Sequence, residues 1–436
     1  MRRICLALPT HRSCGPVISA VAAEAAHAAR TFAVEVTMLV LDSADPVAYA
    51  GHAAVIAALP AAPGVHVVHL DEAAQQRFLS RVTVAAEVTK PDLVNALMLP
   101  DGVSYGACTN RAFLIAAALG CESVHRRDSD FAYQRHAGAE VFPIDQELRF
   151  LGRPAAQAAT GVTEVRLAAA DRDKPVVLVG GSFVGDLSVD IDDVRQRDPQ
   201  AYHDIVSLWA PEDASARVRR DLVAESFTGA GTRPFSGDHT VLDLVDPMRV
   251  DMCNISFHQV QERVPLPPMT ETIGSDYFLI HLVRNSRLPG VLHNRHIVNF
   301  HTPDRRALPA FLAYQLRLAK FFLSMHYLHV IYRRMAQAGE ALLDERHRPR
   351  SAAVAGLVRD AVLLDRTANV RRLHQLDSAY RRLGGRYTAA ADRLAGRRDA
   401  LLAEVAQDFE DFAVLIEAWG PLIRASRSIG AGELRR

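Results

Sequence analysis

Short apolar runs that alternate with Ala-rich stretches of helical spacing constrain this chain more than any other feature. Residues 4–8 form such a run ending at Pro9-Thr10, residues 34–41 one ending at Asp42, and residues 65–70 one ending at Asp71. Residues 17–30, 45–59, 72–88 and 109–119 have helical spacing, and residues 123–125 lead into Arg126-Arg127-Asp128-Ser129-Asp130. Strand and helix alternating at these lengths indicate βαβ units and a mostly parallel sheet. Ligands of such sheets sit outside the carboxyl ends of the strands. Chemistry is therefore expected at Pro9-Thr10-His11-Arg12, Asp42-Ser43, Asp71-Glu72 and the 126–130 cluster.

A second set of strand signals begins at 176–179 and runs into Gly180-Gly181-Ser182-Phe183-Val184-Gly185-Asp186. Prolines at 265, 267 and 268 mark an extended connection, since proline fixes φ and removes amide donors. After about residue 307 the texture becomes Ala/Leu/Arg-rich with helical periodicity, which predicts a helical region over 307–436.

With 49% hydrophobic and 23% charged residues in 436, the chain can bury a sizeable core. Fifty cations balance fifty anions, which argues against a strongly basic nucleic-acid binder. Only three of those cations are Lys (Lys90, Lys174, Lys320), a skew toward Arg that reads first as GC-rich coding, so single arginines carry little weight. The five Cys are scattered without C-x-x-C spacing, which argues against a disulfide scaffold or thiolate zinc site and fits a reducing compartment. The apolar run after Arg3 is too short for a signal peptide, and charges and histidines interrupt residues 311–335. The expectation is a soluble, cytoplasmic, bacterial protein with no transmembrane segment.

Asp128-Ser129-Asp130 is the sharpest chemical feature. Two carboxylates one residue apart at a strand end can share a hard divalent cation beside a diphosphate, although a bare D-x-D also occurs by chance in polar loops. His293, His296 and His301 with Arg305-Arg306 offer imidazole ligands and bidentate phosphate contacts, or a chance grouping among 18 His. Asp276, after Gly274-Ser275, is either a general base for an acceptor hydroxyl or a helix cap, and the cap is the commoner case. The glycine-rich 180–186 segment either shapes a pocket with Asp186 or is a tight turn between strands. Asp190-Ile191-Asp192-Asp193 reads as a solvated acidic turn rather than a second metal site. The stripe Phe311, Tyr314, Phe321, Phe322, Tyr327, Tyr332 reads as core or interface, with self-association the ordinary expectation and membrane contact a lesser one.

In their order along the chain, these motifs resemble the GT-A class of nucleotide-sugar-dependent glycosyltransferases. The resemblance covers about residues 1–306 and implies a Rossmann-like mixed sheet flanked by helices. Residues 1–130 would be the nucleotide-binding half and 131–306 the acceptor half. It implies Mn²⁺ or Mg²⁺ held by Asp128, Asp130 and His301. Donor binding would fall to Thr10, Arg12, Asp42, Asn110, Arg111, Asp128, Arg305 and Arg306. Asp276 would be the catalytic base, with Gly181, Asp186 and Glu271 at the acceptor pocket. Ser275 stands where many inverting members carry another acid. The implied partners are a nucleotide-sugar donor and a small-molecule or lipid-linked hydroxyl acceptor, and the implied activity is hexosyltransferase-like.

Three other readings compete. A nucleotidyltransferase usually needs a Gly-rich, Lys/Arg-bearing loop after the first strand, and residues 9–15 supply one Gly and one Arg. A non-catalytic nucleotide-sugar-binding protein of the same fold would bind without turnover. A zinc hydrolase on His293, His296 and His301 lacks the H-E-x-x-H pattern.

Overall fold

The computed structural model describes residues 1–185, 191–300, 307–430, 432 and 434. Its strands are β1 (Arg3–Thr10), β2 (Glu35–Asp42), β3 (Val65–Leu70), β4 (Ser123–Arg127), β5 (Phe131–Tyr133), β6 (Arg135–His136), β7 (Ala139–Glu140), β8 (Glu164–Val165), β9 (Leu178–Gly180), β10 (Phe183–Gly185), β11 (Thr240–Asp243), β12 (Asn254–His258), β13 (Gly290–His293) and β14 (Ile297–Asn299). Five helices belong to the first third: α1 (Gly15–Phe32), α2 (Pro46–Ala57), α3 (Glu72–Ala85), α4 (Pro91–Met98) and α5 (Tyr105–Ala118). Short helices follow: α6 (Ile144–Phe150), α7 (Ala155–Ala158), α8 (Ile191–Arg197), α9 (Pro199–Val206), α10 (Ala216–Glu225) and α11 (Phe278–Asn285). The last four are α12 (Leu308–Ala338), α13 (Ser351–Val362), α14 (Thr367–Leu383) and α15 (Arg386–Ile429).

Nine strands form one mixed sheet in the order β3-β2-β1-β4-β12-β9-β13-β11-β8. The first four are parallel, as the βαβ pattern requires. The remainder departs from a mostly parallel sheet, because β12 lies antiparallel to both β4 and β9. An apolar run reports burial but not direction, so this reversal is invisible in the sequence pattern. A small sheet, β10-β14-β5, sits beside the first.

Pleating divides β1 between two cores. Ile4, Leu6 and Leu8 pack with Ile18, Val21 and Ala25 of α1, while Cys5 and Ala7 pack on the other face with Phe113 and Leu114 of α5. Asp45 and Asp71 cap α2 and α3 by accepting amide hydrogen bonds, each cap contributing about 1 kcal/mol. Ser104 does the same for α5, which begins four residues before the periodicity at 109 shows it.

The C-terminal helices bury their aromatics inside the same chain. Phe322, Tyr327, Phe409, Phe412 and Trp419 join Phe113 and Phe257 in one hydrophobic core. Tyr327 stacks on Phe409 at 4.8 Å, and the Trp419 indole N–H donates to the Gln261 carbonyl at 2.8 Å. The aromatic stripe is thus internal core along most of its length. Asp192 and Asp193 stand in the first turn of α8, not in a turn between elements, and Asp193 is ion-paired to Arg386 of α15. No helix among the described residues is long and apolar enough to cross a membrane.

Candidate functional site

A cavity of about 700 Å³ opens beyond the carboxyl ends of the parallel strands. Thr10, His11 and Arg12 line it from the end of β1, Ser43 follows β2, and Asp128, Ser129 and Asp130 follow β4. These are the strand-end segments the parallel pattern singles out.

The pleat of β4 decides what its arginines do. Arg127 turns to the α1 side, wholly buried, with Glu24 at 2.8 Å and Glu147 at 3.0 Å. Burial pushes the Glu147 carboxyl up, but Arg127 and His125 outweigh it and hold the group down at about 2. Arg126 turns the other way, into the cavity wall. Its guanidinium lies 3.0 Å from Asp128 and 3.2 Å from Asp276, and it donates to the Met252 carbonyl at 2.9 Å.

Four carboxylates share this end of the cavity: Asp128, Asp130, Asp251 and Asp276. Arg12 pairs with Asp130 at 3.0 Å. Burial, joined by repulsion from Asp130, Asp251 and Asp276, raises Asp128 to about 6 against the pull of Arg126. Burial and Asp251 likewise raise Asp276 despite the same Arg126.

Asp276 stands on a turn of three residues, Ser275–Tyr277, entered through Gly274 at φ 70°. A Cβ at Gly274 would lie 2.8 Å from the Phe321 ring, so glycine lets α12 close over the turn. The cap reading fails here. Ser275 Oγ is buried without a partner, no side chain caps α11, and the Asp276 carboxylate goes to Arg126.

Glu271 lines the cavity as a strap. Its carboxylate accepts from the Val103 amide at 2.9 Å and from Arg317 of α12 at 2.8 Å. Arg111 also lines the wall, donating to Gln75 at 2.7 Å and to the Met98 carbonyl at 2.5 Å.

Other expected residues are not brought to the cavity. Asn110 is fully buried, its amide both donating to and accepting from the Leu266 backbone at 2.8 Å. Gly181 lies outside the lining, where a Cβ would meet His293 at 2.7 Å and Asn254 at 2.8 Å, so its smallness serves strand packing. Asp42 is turned inward, with Oδ1 accepting from Ala44 and Oδ2 from His52 at 2.7 Å and His69 at 2.8 Å. Asp186, His301, Arg305 and Arg306 lie outside the described residues. His293 is enclosed with both ring nitrogens unpartnered, and His296 accepts from the Ser182 amide, so neither joins a metal cluster among the described residues.

Asp42, His52 and His69 are the one trio of metal-type ligands gathered within 4.8 Å among the described residues. The Cys14 amide donates to His52 Nε2 at 2.9 Å, so the ring proton must sit on Nδ1, facing Asp42. A cation at Nδ1 would force the proton to Nε2 and set two donors against each other. The trio is therefore a closed hydrogen-bond network that ties the loops after β1 and β2.

Sequence reasoning missed Asp251, and it placed Arg126 in the strand-end cluster without giving it a role of its own. Asp251 precedes an apolar run instead of following one, but β12 is antiparallel to β4, with Asn254 opposite Arg127. The entry to β12 therefore lies at the same edge as the exit from β4. Asp251 accepts from the Tyr277 hydroxyl at 2.6 Å and the Cys253 amide at 2.9 Å.

Fold and site together define a mixed α/β protein with an acid-lined cavity at the carboxyl edge of its parallel strands. The chain belongs to a family of unknown function, DUF6271, which matches residues 2–435. Comparison with curated proteins gives no match. Among solved structures it is similar to the mannosyltransferase PcManGT from Pyrobaculum calidifontis, in complex with GDP-Man and Mn²⁺, at 13% identity and a TM-score of 0.35 over 98% of this chain and 87% of that one.

Proposed function

We propose that the cavity binds a nucleotide sugar and transfers its sugar to a hydroxyl acceptor, in the manner of a metal-dependent GT-A glycosyltransferase. The observation that carries this reading is the pairing of Asp128 and Asp276 with Arg126, with Asp130 and Asp251 in the same lining, at a cavity of ligand size, about 300–1,000 Å³ being usual.

The donor set fits a hard divalent cation. Four carboxylates face three guanidiniums, those of Arg12, Arg111 and Arg126, which leaves excess negative charge on oxygen ligands. Asp128 and Asp130 would hold the cation, which when bound supplies charge neutralisation to a diphosphate. Arg12 and Arg111, beside them in the wall, would take the phosphates.

In the transfer, a bond forms between the acceptor oxygen and the sugar carbon as that carbon's bond to the nucleoside diphosphate breaks. The hydroxyl proton passes to Asp276. Burial raises this carboxyl's pKa and so strengthens it as a base, and Arg126 fixes its orientation. Tyr277 donates to Asp251 and keeps that neighbouring carboxylate in place.

The test is release of nucleoside diphosphate from a panel of nucleotide sugars with Mn²⁺. Native protein should release product from one donor, and Asp276→Asn should bind that donor and lose turnover by about 100-fold or more. No release from any donor would contradict the reading, and full turnover by Asp276→Asn would remove Asp276 as base.

A further inference from the structure

We infer that the acceptor is a neutral compound whose hydroxyl is carried on an apolar ring system, and that it docks on the aromatic wall that α12 forms together with Trp209 and Phe227. The inference takes its chemistry from the glycosyl-transfer reading, whereas binding to the wall stands apart from it.

The cavity is two-sided. Opposite the strand ends it is lined by Trp209, Phe227, Phe321, Met325, Leu328 and Tyr332. Trp209 lies 5.6 Å from Phe227 and 5.4 Å from Phe321, the latter at 79°, so the three rings form one connected patch. Tyr332 extends the aromatic lining and carries His281 stacked on it at 3.7 Å. With Trp209 edge to face on Phe321 and tilted by 53° to Phe227, the patch offers both faces and edges to a flat ring partner.

The wall adjoins the acid proposed as base. Phe321 packs directly over Gly274, two residues before Asp276, and Tyr332 lies close enough to Asp276 to feel its charge. A hydroxyl delivered to Asp276 therefore brings the body of its molecule against these rings.

Among the described residues, charge does not favour an anionic acceptor on this side. Of the described lining arginines, Arg126 is paired with Asp128 and Asp276, while Arg12 and Arg111 are the pair assigned to the donor phosphates. His281 and His329, which line the aromatic side, are kept uncharged by burial, both pushed down to about 3. Glu225 and Asp246 of the lining are matched by Arg249 at 3.5 Å and Arg284 at 3.9 Å, so they offer an anion no attraction. A lipid phosphate would meet no free cation on this side among the described residues, whereas a neutral ring compound needs none. His329 Nδ1 is buried without a partner, a polar atom that an alkyl chain would leave as it is.

The test is calorimetric titration of 2-naphthol into the nucleotide-free chain, with 1-decanol, dodecyl phosphate and glucose as comparators. The expected result is that 2-naphthol binds at least about tenfold more tightly than any of the three, and that Trp209→Ala and Met325→Ala each weaken it about five- to tenfold. Met325→Ala keeps the test sharp should Trp209→Ala fail to fold. Equal or tighter binding of a comparator, or naphthol binding untouched by both substitutions, overturns the inference. Nucleoside diphosphates titrated in parallel separate the two readings. A chain that binds 2-naphthol as stated but ignores every nucleoside diphosphate supports the aromatic site and defeats the donor assignment, and the converse defeats this inference alone.

Discussion

Arg126 and Asp276, 150 positions apart in the chain, meet in the cavity wall with Nη1 3.2 Å from Oδ2. The same guanidinium reaches Asp128 at 3.0 Å, so one buried cation holds the proposed base and the first acid of the D-x-D together. Arg126→Met leaves both carboxylates without it. The expected loss is about 3 kcal/mol of stability near neutral pH, read by urea unfolding. It should shrink near pH 5, where the stranded acids take up protons. A loss equal at both pH values would show that the pairing is not what Arg126 provides.

Asp128 titrates at about 6 in the folded protein against 3.8 unperturbed. The folded state thus binds more proton between those values, and the stability this contributes is full below 3.8 and lost as pH rises through about 6. Asp128→Asn should therefore flatten the fall over that window and be more stable than native by about 1 kcal/mol near pH 7.5. Asp408, raised to about 6 by burial against Lys320, has the same sign, so the native chain and the variant share part of the slope and their difference is the quantity to read.

The Asp42 network predicts indifference to metal. Any shift of the unfolding temperature by zinc or a chelator should be the same in the native chain and in Asp42→Ala, and Asp42→Ala should lower stability by about 2 kcal/mol by stranding His52 and His69. Zinc stabilisation of the native chain that Asp42→Ala abolishes would make the trio a metal site.

Glu271 ties the 101–103 loop to α12 through the Val103 amide and Arg317. Glu271→Ala should speed hydrogen exchange at Val103 and its neighbours and lower stability by about 1 kcal/mol. Unchanged exchange there would show that the loop is held by other contacts.

The parallel half of the sheet was legible in the sequence because βα alternation admits few topologies, and that alone located Thr10, Arg12, Asp128 and Asp130. The antiparallel β12 was not, and Asp251 was missed with it, since a search of strand exits passes over a strand entry. The helical pattern after residue 307 was plain. That Phe321 and Tyr332 would face the cavity was not, because periodicity gives the apolar face of a helix without saying whether core or ligand covers it. Asp42 and Asn110 carried the right chemistry at expected places, yet their polar atoms are spent on local partners, a matter of side-chain geometry that spacing does not encode.

The most direct measurement of the central claim is calorimetric binding of a panel of nucleoside diphosphates and nucleotide sugars, with and without Mn²⁺, to the native chain and to Asp130→Ala. One nucleoside diphosphate should bind only with the metal, and Asp130→Ala should abolish that binding. Binding that ignores both metal and Asp130, or no binding across the panel, would contradict the account.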